Sequence, residues 1–122
     1  IELTLSDATQ PLVRDFAAPA GHVHALRANG RAAAHRVVNE HIVVPPAALK
    51  RGHNRIAVRF TAGDGPLNRG PDLLYTLFVP ARARQAVPCF DQPDLKGRWS
   101  LTLDHPAAWK SVANGAELAR AE

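Results

Sequence analysis

The stretch from Arg84 to Trp99 reads RQAVPCFDQPDLKGRW and crowds reactive side chains together. Cys89 is the only cysteine of the chain. As a nucleophile it would need a base and a lowered pKa. Its sequence neighbour Asp91 would push the pKa the other way. Between Pro88 and Phe90 the thiol reads better as a small buried hydrophobe. Asp91 and Asp94 could form an acid–base pair of carboxylates. The same D-Q-P-D wording is also turn chemistry, in which Asp side chains accept backbone N–H bonds around Pro93. An Asp facing Arg84 or Lys96 would make a structural ion pair. Turn and ion pair are the preferred reading.

His22 and His24, at i and i+2, could together hold Zn²⁺ or Cu²⁺. No third ligand stands at a recognisable spacing, and Glu40-His41 is too distant in sequence to complete the set. Exposed strand histidines are the simpler reading. The sequence contains no Gly-rich phosphate loop, no G-x-S-x-G, no Cys-x-x-Cys and no H-E-x-x-H. The residues by themselves point to a β domain without a self-contained active site.

The elements that must position these residues show a period of two rather than 3.6. Ile56, Val58 and Phe60 alternate with Arg55, Ala57 and Arg59, and Trp99, Leu101 and Leu103 alternate with Arg98, Ser100 and Thr102. Each reads as a strand with one buried and one wet face. Strands are also expected over 1–5, 13–16, 41–44 and 73–79, the last ended by Pro80. Val23–Arg27 and Arg31–Val38 flank Asn29-Gly30, a strong hairpin signal because both central residues of a type I′ turn need φ > 0. Pro46–Leu49 could make one helical turn. Gly63–Pro66 is a turn cluster, with a loop continuing over 68–71, and 107–112 could be a last strand or a short helix. The expected fold is all-β and mostly antiparallel, saddle- or sandwich-like, with short strands and Gly/Pro turns, over a single domain spanning 1–122.

Composition bounds the function. At 122 residues and 46% hydrophobic, the chain can bury a core without disulfide staples. The net charge of +4 comes from arginines spread from Arg14 to Arg120 among interspersed acids, and aromatics are only 6%. That pattern offers few stacking platforms and argues against nucleic acid as a partner. No apolar run approaches the roughly 18–20 residues of a membrane helix, and no membrane partner is expected. The sequence begins at Ile1 rather than Met and shows no signal peptide, as expected of a cut or processed chain.

Leu74-Tyr75-Thr76, then Ala83-Arg84, then Pro88-Cys89-Phe90-Asp91-Gln92-Pro93-Asp94-Leu95-Lys96 resembles the N-terminal domain of the aminopeptidase N-like zinc metallopeptidases. The family wording A-R-x-x-x-P-C-F-D-[EQ]-P-x-x-K is followed by an alternating strand, His-Pro, and a strand ending in S-N-G. Here those are 99–103, His105-Pro106 and Val112-Ala113-Asn114-Gly115. Upstream, Asn29-Gly30, Ile42–Pro45 and Leu49-x-x-Gly52-x-Asn54 fit the same pattern. The resemblance covers roughly 22–115, and the block 83–96 is its specific part.

The resemblance implies a parent enzyme that removes N-terminal residues from peptides. Its zinc would be held by two His and a Glu of a separate catalytic domain, with a second Glu activating the zinc-bound water. None of these groups is in this chain, so the piece is expected to wall the cleft, to bind no zinc and to be inactive alone. Its partners would be the peptide substrate and its own catalytic domain. As a truncated sheet it would expose an unpaired edge able to pair with another copy. Arg84, Asp91 and Lys96 would fix a strand–turn–strand corner above Cys89 and Phe90. In the family, two polar residues at i and i+2 before the A-R motif face the cleft, and the second helps hold the substrate α-amine. Here those positions are the apolar Leu77 and Val79. A register shift by one does not supply a carboxylate or amide, since Thr76, Phe78 and Pro80 stand there. The competing reading is a stand-alone β-sandwich binding module for peptide, carbohydrate or a protein partner.

Overall fold

The computed structural model describes residues 1–120. Nine short strands and three 3₁₀ turns make up its regular structure. The strands are β1 (Glu2–Leu5), β2 (Leu12–Asp15), β3 (Val23–Ala28), β4 (Arg31–Ala32), β5 (Arg36–Val38), β6 (His41–Val44), β7 (Gly52–Phe60), β8 (Leu67–Arg69) and β9 (Leu74–Thr76). They form a sheet of order β1-β7-β3-β4, a sheet of order β2-β6-β5, and the hairpin β8-β9. Every strand pairing is antiparallel. The all-β, mostly antiparallel class read from the sequence is the class of the fold.

The period of two acts as expected in β7. Asn54 and Ile56 are buried, Val58 and Phe60 half-buried, and Arg55, Ala57 and Arg59 face water. In β3 the alternation slips: Val23 and Leu26 are both buried, with His24 and Ala25 both outward. The pairing register against β7 shifts between Val23 and Ala25. One extra residue on β3 is a bulge, and it returns Leu26 and Ala28 to the inner face.

Leu12, Ile42 and Val44 from one sheet meet Val23, Leu26, Ala28 and Ile56 from the other in one core, together with Phe16. Phe16, just past β2, meets Phe60 of β7 edge-on, with centroids 5.4 Å apart and ring planes at 76°. Such a pair adds about 1 kcal/mol beyond its area and ties the two sheets.

Asn29 and Gly30 turn β3 into β4 with φ of 52° and 82°, the geometry that the Asn-Gly signal requires. The segment 31–38, expected as one strand, divides. Arg31–Ala32 closes the hairpin on β3, and Arg36–Val38 joins β6 in the other sheet. Pro46–Ala48 forms the expected single helical turn.

Asn54 explains the L-x-x-G-x-N spacing. Its side chain is fully buried in β7. Its Oδ1 accepts the Lys50 N–H at 3.0 Å and the Asn29 Nδ2–H at 3.0 Å, and its Nδ2 donates to the carbonyls of Lys50 (2.6 Å) and Gly52 (2.9 Å). Gly52, at φ 87°, makes the left-handed bend that brings those groups around the amide.

Beyond Phe60 the chain differs from the sequence expectation. Leu67–Arg69, which overlaps the loop expected over 68–71, pairs with Leu74–Thr76, and the strand expected over 73–79 is limited to that pairing. Residues 99–103 form no strand, although the alternation is intact, and 107–112 contribute only a turn. Trp99 is 70% exposed, and Leu101 and Leu103 are more than half exposed. Alternation marks a sequence fit to be a strand, but a strand exists only against a partner ladder, and none lies beside this segment.

Candidate functional site

β2 ends where the 84–91 segment returns to it. Asp15 and Cys89 form an isolated antiparallel bridge: the Asp15 N–H donates to the Cys89 carbonyl at 2.9 Å, and the Cys89 N–H to the Asp15 carbonyl at 3.1 Å. The Asp15 carboxylate reinforces it. One oxygen accepts the Asp91 N–H at 2.8 Å, and the other lies 3.2 Å from His41 Nε2 of β6. Asp91 in turn accepts the Arg84 backbone N–H at 3.1 Å, and the Ala17 N–H donates to the Arg84 carbonyl at 2.8 Å. These bonds close the corner onto the core.

The Arg84 guanidinium does not face Asp91. Its Nε lies 3.7 Å from the Glu40 carboxylate, an ion-pairing distance too long for a hydrogen bond. Lys96 is exposed beyond the corner. The segment is a 3₁₀ turn (Ala83–Gln85) leading to a bridge, and not the expected strand–turn–strand. The reason is partner supply: Asp15 offers one bridge, and no strand stands alongside 92–103 to extend it.

Cys89 is 4% exposed, and burial, helped by Asp91 and Asp15, pushes its thiol up to about 11. A thiol so held is protonated at neutral pH and is a poor nucleophile. Asp94 sits on an exposed turn with Pro93, where the Leu95 N–H donates to the Gln92 carbonyl at 3.1 Å. The thiol is the buried side chain expected, and Asp94 lies in the expected turn, but among the described residues its carboxylate accepts no backbone N–H and pairs with no cation.

His22 closes a 3₁₀ turn, and His24 lies on the outer face of the β3 bulge, with Nε2 2.7 Å from Thr61 Oγ1. Among the described residues no three His, Cys, Asp or Glu side chains converge as a metal site.

Leu77 and Val79 lie between β9 and Pro80, both exposed, Val79 at 71%. The Leu77 N–H donates to the Pro66 carbonyl at 2.9 Å and extends the β8-β9 hairpin by one bond. Leu73, Leu74, Tyr75 and Phe78 are exposed with them. Neither Leu77 nor Val79 carries a side-chain acceptor for an amine.

Two residues were missed by sequence reasoning, Arg14 and Asp15. Asp15 anchors the corner, and Arg14 lies beneath it, donating through Nη2 to the Pro88 carbonyl with its guanidinium 5.8 Å from the Phe90 ring centroid. The available signal was Leu12-x-Arg14, which sets a charge on the face that alternation assigns to the core.

The family model described as Peptidase M1 N-terminal domain matches residues 65–122. Aminopeptidase N of Haemonchus contortus is 46% identical over 39 residues, 32% of this chain and 4% of that protein. The Probable M1 family aminopeptidase 1 of Encephalitozoon cuniculi is 33% identical over 79 residues, 59% of this chain and 9% of that protein. The Thyrotropin-releasing hormone-degrading ectoenzyme of Rattus norvegicus is 41% identical over 39 residues, again 32% of this chain and 4% of that protein. The chain therefore spans less than a tenth of the length of these relatives. No solved structure matches it. Neither the family model nor the relatives point to a stand-alone binding module, and both bear out the resemblance carried by Ala83-Arg84 and Pro88–Lys96, which is to the N-terminal domain of the aminopeptidase N-like M1 peptidases.

Proposed function

We infer that the chain is part of the N-terminal β domain of a zinc-dependent aminopeptidase, and that it builds one wall of the peptide cleft while carrying no reacting group. The observation that carries this reading is the coincidence of the matched stretch, 65–122, with the exposed apolar surface of Leu73–Val79 and Trp99–Leu103. Large apolar side chains exposed in such number mark surface that another body covers. The partner is the enzyme's own catalytic domain, which supplies the zinc, its ligands and the activating Glu. A peptide with a free N-terminus is the substrate. Residues 1–122 act as one domain, part of a saddle- or sandwich-like unit, and its free edges can pair with a second copy when uncovered.

Two measurements test this. The 122-residue chain, given Zn²⁺ and an aminoacyl chromogenic substrate, yields no turnover; a zinc-dependent rate above background contradicts the reading. The reading frame that encodes the chain carries H-E-x-x-H downstream, and its absence there would sink the assignment.

Leu77 and Val79 occupy the positions that, by resemblance, face the cleft. Neither can accept a hydrogen bond from an ammonium group, so the amine is held from the catalytic side. In the whole enzyme, Val79→Glu adds a charge-assisted acceptor and lowers KM for substrates with a free N-terminus. An unchanged KM would place residue 79 outside the amine's reach.

A further inference from the structure

Alternation along β2 aims Leu12 and Arg14 at the same inner face. Leu12 suits it. Arg14 is only 2% exposed, and among the described residues its Nε has no hydrogen-bond partner and its one hydrogen bond is the donation to the Pro88 carbonyl. No carboxylate among the described residues pairs with it, since Asp15 is turned to His41 and Asp91. Burial lowers its pKa to about 10, which leaves it charged at neutral pH. A buried cation with no directly paired carboxylate is costly, because the nearby Asp15 charge and the Phe90 ring offset its desolvation only in part and its acceptors are incomplete.

Arg14 also lines a cleft of about 320 Å³, at the low end of the range for small-ligand sites. Its other lining residues include Ile1, Val58, Phe60 and Pro88, the Ile1 ammonium donating to the Ile56 carbonyl at 2.7 Å, and Arg55, whose mostly exposed side chain lies 4.0 Å from the Glu2 carboxylate. No acidic side chain lines the cleft among the described residues. A buried guanidinium, two further cations in Arg55 and the Ile1 ammonium, and an apolar patch of Val58, Phe60 and Pro88 match a ligand that is negative at one end and apolar at the other.

We propose that this cleft binds a small monocarboxylate with a short apolar tail. The carboxylate meets the Arg14 guanidinium, whose planar donors suit a carboxylate, and Arg55 adds charge from the rim. The tail lies against Val58, Phe60 and Pro88. Nothing in this site draws on residues 65–79 or on the peptidase reading, so its test succeeds or fails independently of that reading.

The test is a titration of the ¹⁵N-labelled chain with butyrate, following the arginine Nε–H resonances, with acetate, inorganic phosphate and chloride as parallel arms at matched ionic strength. The expected result is a saturable shift of the Arg14 resonance, reached at lower concentration with butyrate than with acetate and absent with phosphate and chloride. Arg55→Gln weakens butyrate binding about fivefold, the size of one partly screened charge contact. Arg14→Met abolishes it while circular dichroism shows the fold retained. The proposal is overturned if butyrate gives no saturable shift, if phosphate or chloride reproduces it, or if a folded Arg14→Met chain binds butyrate unchanged. Should Arg14→Met fail to fold, Arg55→Gln decides, and unchanged affinity there overturns the proposal.

Discussion

Asp15 serves two partners with one carboxylate, the Asp91 N–H and His41 Nε2, while its backbone bridges Cys89. It is half-buried, so these are charge-assisted bonds only partly screened by water. Asp15→Ala leaves the Asp91 amide without its acceptor and is expected to lower stability by about 2 kcal/mol in urea unfolding. His41→Ala removes only the more exposed arm and costs less. Cys89 sets a pH limit. Its folded pKa of about 11 lies above the ordinary value of 9.0, because burial favours the neutral thiol. The sign follows from linkage: the neutral thiol's contribution is complete below pH 9 and is lost as pH rises through 11. Stability measured from pH 8 to 11 should fall with this component, and the fall should be smaller in Cys89→Ala. The native thiol should also resist alkylation at pH 7 until the chain is unfolded.

The turn between β3 and β4 and the loop before β7 are joined through the side chains of Asn29 and Asn54. Asn29 Nδ2 donates to Asn54 Oδ1, and Asn29 Oδ1 accepts the Arg55 N–H at 3.1 Å. Asn54→Ala strips acceptors and donors from several buried groups at once. About 3 kcal/mol of lost stability is expected, seen as a lower urea midpoint at unchanged slope. Gly30→Val forces a β-branched residue to φ 82° and is expected to cost about 1–2 kcal/mol, with no change in the core. A cost near zero would mean that the hairpin tolerates another turn type. Neither change removes an apolar contact, so the two effects report lost polar partners and backbone strain rather than core packing.

The chain as a whole is two unequal parts. Residues up to Phe60 contribute nearly all of the core, whereas residues 92–120 are exposed throughout. The exposed part carries Trp99, Leu101, Leu103 and Trp109, and Leu77 and Val79 stand on the preceding hairpin extension. Surfaces of this kind associate when left uncovered. Sedimentation velocity of the 122-residue chain is expected to show concentration-dependent association, shifted toward monomer by Leu101→Lys. A monomer at all concentrations would show that the apolar face is too dispersed to act as one surface.

Some of this was legible in the residues alone. The period of two marked β7, the Asn-Gly pair marked the β3-β4 turn, and Pro88-Cys89-Phe90 marked a buried thiol rather than a nucleophile. These are short-range facts: side-chain size, φ preference and local burial are set within a few neighbours. The tertiary structure alone decided that Asp15 meets Cys89 and Asp91, that Arg14 lies buried without a carboxylate, and that 99–103 is not a strand. Those outcomes depend on which distant segment supplies the partner. Alternation fixes which face a residue would present, but ladder bonds and ion pairs form only where the fold brings a second backbone or an opposite charge within reach.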